Sequence, residues 1–230
     1  MCDQDRKSMK KISITKITSE GTKTTDDLVA VEERYQVILN GTDSFSFTCS
    51  PMALKEMVTG ALYTRNLIKS VNEIQRLEIA GQKIQVDIIG VDETKQETAA
   101  EKILLNEGLI FKTVNQIFSN PDTLFNQTGC AHSCSLLYKG EVICTFEDIG
   151  RHNALDKAIG YALCNQISMK QCVIFTSGRI SGDYMEKVIR AGVPVAVSRA
   201  AVTSEAVRLA EEHGVMLYGF VRGNSANRYV

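Results

Sequence analysis

The chain has 230 residues, of which 44% are hydrophobic and 23% are charged, and its formal net charge is −1. This length can bury a sizeable core as one large or two modest domains, and the near-zero charge gives no electrostatic basis for nucleic-acid binding. No apolar run approaches the ~20 residues that cross a bilayer and the first residues are polar, so we expect no membrane contact and a cytoplasmic location.

The N-terminal part is predicted to be rich in β-strands. Residues 1–24 are polar and rich in Lys, Thr and Ser, which predicts a tail with at most one short strand, near 12–17. Strands are predicted at 28–31, 35–39 and 44–48, the last two joined by a hairpin turn at Asn40-Gly41. A helix beginning at Ser50-Pro51 and a second hairpin over 75–88 complete a subdomain predicted to span 25–97.

A helical connector is predicted over 98–120, and a regular alternation of strands and helices follows over 121–230. The alternation opens with a hairpin across Lys139-Gly140 and a helix from Asn153, which we expect to cap it, to about Asn165. Strands are then predicted at 173–176, 193–197 and 215–221, separated by helices at 181–191 and 203–213. Such crossovers predict an α/β fold whose sheet is covered on both faces.

Three loops in the C-terminal half follow predicted strands, and each carries an arginine. In α/β sheets, ligands bind at the carboxyl ends of the strands, near helix N-termini. Three arginines beside glycine-containing or hydroxyl-containing turns therefore predict a site for an anionic ligand, and a pyrophosphate suits them. The predicted binding residues are Ser177 and Arg179, Ser198 and Arg199, and Phe220, Val221, Arg222, Gly223, Asn224 and Ser225.

Residues 147–157 place an acidic pair, a glycine, an Arg-His pair and a helix start within eleven positions. Charged groups at a strand-to-helix junction are typical of binding sites in α/β proteins. We expect Arg151 or His152 to face the ligand. Asp148 and Asp156 are predicted to orient the segment or cap the helix, because carboxylates repel phosphate.

The seven cysteines are scattered, which favours free thiols in a reducing compartment over a disulfide scaffold. If residues 130–134 are extended, Cys130, His132 and Cys134 share one face. A nearby imidazolium or guanidinium lowers a thiol pKa and raises the thiolate fraction that persulfide chemistry requires. The alternative is that both cysteines are small packing residues beside a turn. Two Cys and one His lack the fourth ligand of a zinc site, so no metal is predicted.

The same segments resemble the formate dehydrogenase accessory sulfurtransferase family (FdhD). The resemblance is carried by residues 147–157, 177–181, 191–195, 198–199 and 219–223 in order, with 29–33 and 39–41 near the start. It implies a C-terminal three-layer domain of cytidine-deaminase-like type and a homodimer. It also implies that sulfur passes as a persulfide from a cysteine desulfurase to the bis-molybdopterin guanine dinucleotide cofactor of formate dehydrogenase, and that the guanine nucleotide moiety is bound.

The chain departs from this family in its cysteines. The family carries a Cys-Gly-x-Cys-Gly motif upstream of its Thr-Gly segment, whereas residues 91–127 here contain no cysteine, and Cys130 replaces a glycine. Either Cys130 and Cys134 have taken over the persulfide role, or this member is a non-catalytic, cofactor-binding chaperone. A zinc deaminase on the same fold would need His-x-Glu and Pro-Cys-x-x-Cys, and neither motif is present.

Overall fold

The computed structural model describes residues 8–89 and 107–230, and it confirms the α/β class. Twelve strands are described: β1 (Met9–Thr18), β2 (Gly21–Ala30), β3 (Glu33–Leu39), β4 (Thr42–Cys49), β5 (Ile74–Ala80), β6 (Lys83–Ile88), β7 (His132–Tyr138), β8 (Glu141–Asp148), β9 (Cys172–Thr176), β10 (Val195–Ser198), β11 (Met216–Arg222) and β12 (Ser225–Arg228). The helices in these ranges are α1 (Leu54–Thr64), α2 (Glu107–Phe118), α3 (Leu124–Thr128), α4 (Arg151–Cys164), α5 (Gly182–Ala191) and α6 (Ser204–His213).

The C-terminal half is built on a six-stranded sheet in the order β12-β11-β10-β9-β7-β8. Strands β9, β10 and β11 are parallel, whereas β7 runs antiparallel to both β9 and β8. The carboxyl ends of β8 to β11 and the start of β7 therefore lie at one edge of this sheet. We refer to it as the carboxyl edge.

Both faces of this sheet are covered, which confirms the predicted three layers. On one face α4, α5 and α6 pack against strand residues such as Leu136, Ile174 and Leu217. On the other face Ile110 and Val114 of α2 pack against residues such as Phe175 and Val197. Side chains alternate along each strand, so neighbouring positions enter different cores.

The N-terminal half holds a smaller sheet in the order β4-β3-β6-β5, with α1 on one face. The predicted turn at Asn40-Gly41 is confirmed, since both residues have positive φ as a tight hairpin requires. The predicted helix start at Ser50-Pro51 is wrong, because α1 begins at Leu54. Ser50 is buried, its N–H donates to Asp148 Oδ2 and its hydroxyl accepts from the N–H of Ile149.

Helices α1 and α4 cross in backbone contact and join the two halves. A Cβ added to Gly60 would lie 1.9 Å from the carbonyl oxygen of Asp156, and one added to Gly160 would lie 1.8 Å from that of Glu56. Only glycine at both positions permits this approach. The sequence patterns that predict the strands and helices of the two halves do not reveal this contact. The boundaries predicted between subdomains stay a prediction.

Three further expectations are corrected by the structure. The polar N-terminal stretch enters a hairpin of two ten-residue strands, β1 and β2, rather than forming at most one short strand, because its Thr and Ile residues favour extended backbone. The strand predicted at 215–221 is not the last one, because β12 follows it and pairs antiparallel with β11. Helix α4 begins at Arg151 with Gly150 as its N-cap, and Asn153 does not cap it.

Helix α2 lies within the predicted connector, of which 98–106 falls outside the described residues. In the described ranges, we find no helix with both the length and the apolar character required to span a membrane.

Candidate functional site

A cavity of about 400 Å³ opens at the carboxyl edge, between the ends of the strands and α3. It brings together residues that lie far apart in the sequence. Its wall is lined by Ile117, Phe118, Thr123, Phe125, Asn126, Ala131, His132, Ser133, Thr145, Glu147, Ser177, Arg199, Ala200 and Arg222. Of the predicted binding residues, Ser177, Arg199 and Arg222 therefore meet in one space.

Two arginines supply the positive charge of this cavity. The guanidinium of Arg199 lies 4.8 Å from the ring centre of Phe118, and Arg222 Nε donates to the backbone oxygen of Arg199 at 3.2 Å. Stacking and this single bond orient both side chains, and both remain exposed. Their remaining N–H groups are suited to phosphate or carboxylate oxygens.

The loops after β9 and β10 are braced by their own hydroxyl groups. Ser177 exchanges two bonds with Ser133, one backbone to backbone and one from the Ser133 N–H to Ser177 Oγ at 2.9 Å. Ser198 is fully buried; its hydroxyl donates to Gly178 O at 2.8 Å and accepts from the N–H of Ala200 at 2.9 Å. This hydroxyl holds the two loops together, and ligand contact by Ser198 stays a prediction.

The end of β11 and the turn that follows it are divided between core and surface. The side chain of Val221 is fully buried against α2, and ligand contact by this residue stays a prediction. Phe220 is 42% exposed and has φ of 52°, an uncommon conformation for a non-glycine residue. Gly223 and Asn224 form the exposed turn into β12, and Ser225 Oγ donates to Arg222 O.

Arg151 and His152 lie beside the cavity rather than in its wall. Arg151 Nη2 donates to Ser181 Oγ at 3.1 Å, while its Nε is buried without a hydrogen bond. His152 Nε2 is 3.0 Å from Asp183 Oδ2, at an angle that makes no hydrogen bond. Burial lowers the pKa of His152, and Asp183 opposes that shift.

His132 connects this cluster with the cavity, which it helps to line. A Cβ on Gly178 would lie 3.0 Å from Arg151 Cβ and 3.3 Å from His132 Nδ1, so this glycine lets the two side chains approach. Burial lowers the pKa of His132, and the guanidinium groups of Arg151 and Arg179 lower it further. Arg179 itself is exposed outside the cavity wall.

The acidic residues of 147–157 act on protein groups, in agreement with the predicted positioning role. Asp148 is fully buried; Lys157 Nζ donates to its Oδ2 at 2.7 Å, and the N–H of Gly150 and the amide of Asn153 donate to its Oδ1. Asp156 accepts from Thr64 Oγ1 at 3.0 Å and pairs with Lys187.

The two predicted thiols occupy different environments. Cys130 is exposed immediately after Gly129, the left-handed residue that ends α3, and before cavity residues Ala131 and His132. Cys134 is fully buried under α5, where the hydroxyl of Tyr184 donates to its sulfur at 3.8 Å and burial raises its pKa. Of the two thiols, Cys130 is therefore accessible and Cys134 is not, and the persulfide role of both stays a prediction.

Sequence reasoning missed the wall formed by α3 and the end of α2. Phe118, Phe125 and Asn126 were not predicted to line a site, and α3 itself was not predicted. Its signals are Thr123, whose hydroxyl accepts from the N–H of Asn126, and Gly129, which ends the helix. A five-residue helix is too short to show apolar periodicity, so its capping residues are the only local sequence signal that indicates it.

Comparison with known proteins bears on the family and the fold of the chain. The family model described as the FdhD/NarQ family matches residues 30–108 and 90–230. Protein FdhD of Methanocaldococcus jannaschii is 32% identical over 96% of both chains, and the sulfur carrier protein FdhD of Bacillus pumilus is 33% identical over 88% of both. The crystal structure of a proposed formate dehydrogenase accessory protein from Desulfotalea psychrophila superposes with a TM-score of 0.84, at 28% identity over 96% of both chains.

Proposed function

Because the chain belongs to the FdhD/NarQ family, we propose that it is a cytoplasmic sulfur carrier that serves formate dehydrogenase. In this proposal Cys130 receives sulfur as a persulfide from a cysteine desulfurase. The acceptor is the bis-molybdopterin guanine dinucleotide cofactor, which is cargo rather than a resident group. A homodimer completes the proposed assembly.

The sulfur-carrying step requires an accessible thiolate. Among the cysteines of the described ranges, Cys130 alone is exposed. Its thiolate attacks the outer sulfur of the desulfurase persulfide, a new S–S bond forms, and the desulfurase cysteine leaves as a thiolate. Two electrons move with the broken bond, so the exchange needs no added oxidant or reductant.

The cofactor-binding step uses the cavity at the carboxyl edge. Arg199 and Arg222 can donate to the pyrophosphate of a nucleotide arm, and Phe118 and Phe125 offer aromatic surface to a planar ring. Arg151 and Arg179, which flank His132, would extend this positive region for a larger anion.

A single juxtaposition supports the proposal most strongly. Cys130 directly precedes two residues of the cavity wall, Ala131 and His132, so an exposed thiol and an anion-binding cavity are neighbours. A sulfur atom carried by Cys130 would be presented to cargo held by the arginines. Proximity of this kind supplies a large part of catalysis in group-transfer reactions.

The deciding experiment is mass spectrometry of the intact protein after incubation with a cysteine desulfurase and cysteine. We expect an adduct of one or more sulfur atoms, mapped to Cys130 by peptide analysis and absent in Cys130→Ser. Cys130→Ser should also fail to restore active formate dehydrogenase while it still binds guanosine diphosphate. No adduct, or an active dehydrogenase with Cys130→Ser, would reject sulfur transfer through this thiol.

A non-catalytic chaperone for the molybdenum cofactor is the second candidate function. It is favoured by the burial of Cys134, which leaves Cys130 as the one exposed thiol among the cysteines of the described ranges, and by the absent upstream cysteine motif. This function needs the cavity and no reactive thiol. It predicts that Cys130→Ser activates the dehydrogenase as well as the unaltered chain, whereas Arg222→Ala does not.

A further inference from the structure

Helix α3 is a short element that both walls the cavity and ends beside Cys130. It has five residues, and Phe125 and Asn126 face the cavity. Isolated helices shorter than about 12–15 residues are marginal in water, so α3 depends on contacts from outside itself. The position of α3 therefore depends on the groups that accept hydrogen bonds from its backbone N–H groups.

One carboxylate, that of Glu147 on β8, accepts hydrogen bonds from two of these N–H groups. Glu147 Oε2 accepts from the N–H of Leu124 at 2.7 Å, and Glu147 Oε1 accepts from that of Phe125 at 3.1 Å. The next N–H, of Asn126, is satisfied by Thr123 Oγ1 at 3.1 Å. A negative charge at a helix N-terminus is also favourable to the helix dipole.

The other end of α3 connects to the thiol through hydrogen bonds. Thr128 Oγ1 donates to Leu124 O at 2.7 Å and accepts from the N–H of Cys130 at 3.2 Å. The N–H of Gly129 donates to Phe125 O at 2.6 Å. A continuous set of bonds thus runs from Glu147 on β8, through one turn of helix, to the backbone of Cys130.

We propose that Glu147 is a positioning residue, which holds α3 and thereby sets the place of the Cys130 thiol beside the cavity. This explains why a carboxylate lines a cavity whose arginines are suited to anions. Its two oxygens are turned to backbone N–H groups instead of to cargo. The proposal rests on the proposed function for its catalytic meaning, but its structural half can be tested alone.

The test compares Glu147→Gln with Glu141→Gln, a control with the same charge change on an exposed residue of the same strand. A glutamine can offer its oxygen to one N–H only and turns its own NH₂ group toward the other. A nitroxide attached to Cys130, in a Cys2→Ser background, reports the mobility of this position by electron paramagnetic resonance. We expect a more mobile label in Glu147→Gln and no change in Glu141→Gln.

Sulfur delivery should separate from sulfur loading in the same variants. Cys130 stays exposed, so a small polysulfide should load it at the unaltered rate, whereas activation of formate dehydrogenase should fall about tenfold or more because the sulfur is misplaced. Thr128→Val, which breaks the link near the thiol and leaves Glu147 intact, should reproduce both effects. Affinity for guanosine diphosphate should change to a similar extent in Glu147→Gln and Thr128→Val, because both loosen the helix that carries Phe125, and should be unchanged in Glu141→Gln.

Three outcomes would overturn the positioning role: an equally restrained label in Glu147→Gln, an equal effect of Glu141→Gln, or a loss of guanosine diphosphate affinity in Glu147→Gln that Thr128→Val does not share. The last would make Glu147 a ligand-contacting residue. If the unaltered chain takes up no sulfur, the proposed function fails, and the nitroxide comparison still decides what Glu147 does.

Discussion

An exposed thiol and a buried thiol stand four residues apart in this chain. Cys130 is at a turn, whereas Cys134, Cys144 and Cys172 belong to the core on the α4 side of the sheet or pack against it. Burial raises the pKa of Cys144 to about 12 and that of Cys172 to about 11, and it raises that of Cys134 as well. At neutral pH these three thiols hold little of the reactive thiolate.

Mild alkylation of the native protein should therefore modify Cys130 about tenfold or more faster than Cys134, Cys144 or Cys172. Peptide mass spectrometry after a short iodoacetamide pulse measures the order, with Cys2 considered separately. The denatured protein, in which all the thiols are accessible, is the control. Early labelling of Cys134 in the folded protein would contradict its burial.

Arg222 is predicted to contribute directly to anion binding. Arg222→Ala should weaken the binding of guanosine diphosphate by about 1.5–3 kcal/mol, the usual contribution of a hydrogen bond to a charged group. Arg228→Ala is the matched control, because Arg228 is exposed on neighbouring β12 and outside the cavity wall. Calorimetric titration measures both. Unchanged affinity in Arg222→Ala and in Arg199→Ala would place the ligand elsewhere.

We expect His132 to make the stability of the protein depend on pH. Its pKa is lowered in the folded state, so the unfolded chain binds the proton more readily. This contribution to stability is present above the unfolded pKa of about 6.5 and is lost as pH falls through the lower folded pKa. Between about pH 7.5 and 5.5 the melting temperature should fall less in His132→Asn than in the unaltered chain.

At the scale of elements, the crossing of α1 and α4 depends on Gly60 and Gly160. Gly160→Ala would place a methyl group 1.8 Å from the carbonyl oxygen of Glu56, so the helices must separate. We expect a loss of about 1–3 kcal/mol or more in the free energy of unfolding, as for other overpacked cores. Urea denaturation measures it. Gly108→Ala, in an exposed first turn of α2, should be neutral or stabilising.

The elements that the sequence predicted are those with local signals. Apolar strands bounded by Gly and Asn turns, and helices with striped faces, were placed to within a few residues. The pairing and the full length of β1 and β2 were missed, because these strands carry few apolar residues to mark a period, and only short strands near 12–17 and at 28–31 were predicted. Helix α3 was missed because it is too short to have a period. The direction that Cys134 and Ser198 face depends on which helices cover the sheet, and the Gly60–Gly160 contact joins residues a hundred positions apart. No local pattern contains that information.

At the scale of the molecule, a buried ion pair joins the two halves. Asp148 and Lys157 are fully buried together, and Lys157 Nζ also donates to Ser50 O at 3.2 Å and Glu147 O at 3.1 Å. The amide of Asn153 donates to Thr48 O at 2.8 Å. These bonds reach from α4 to the end of β4 and the segment that precedes α1, so we expect the halves to unfold together.

Asp148→Asn should lower the free energy of unfolding by about 3–5 kcal/mol, because it leaves the charge of Lys157 buried without its partner. Asp26→Asn removes an exposed partner of Lys11 and should change stability by less than about 1 kcal/mol. Thermal and urea unfolding, followed by circular dichroism, compare them.

Where Asp148→Asn remains folded it should still bind guanosine diphosphate, whereas Arg151→Ala should bind it more weakly. The reverse result would contradict the division of roles within 147–157.

Residues of the segment 147–157 contact three other parts of the molecule. Glu147 binds α3, Asp148 and Lys157 connect to the N-terminal half, and Arg151 and His152 contact α5. In a genetic screen for loss of dehydrogenase activity, one short stretch would therefore collect hits with unlike defects. Some alleles would lower the amount of folded protein, some would release the cargo, and some would misdirect sulfur. Growth phenotypes alone would merge these classes, and only alleles with normal abundance and normal nucleotide affinity would report on the thiol.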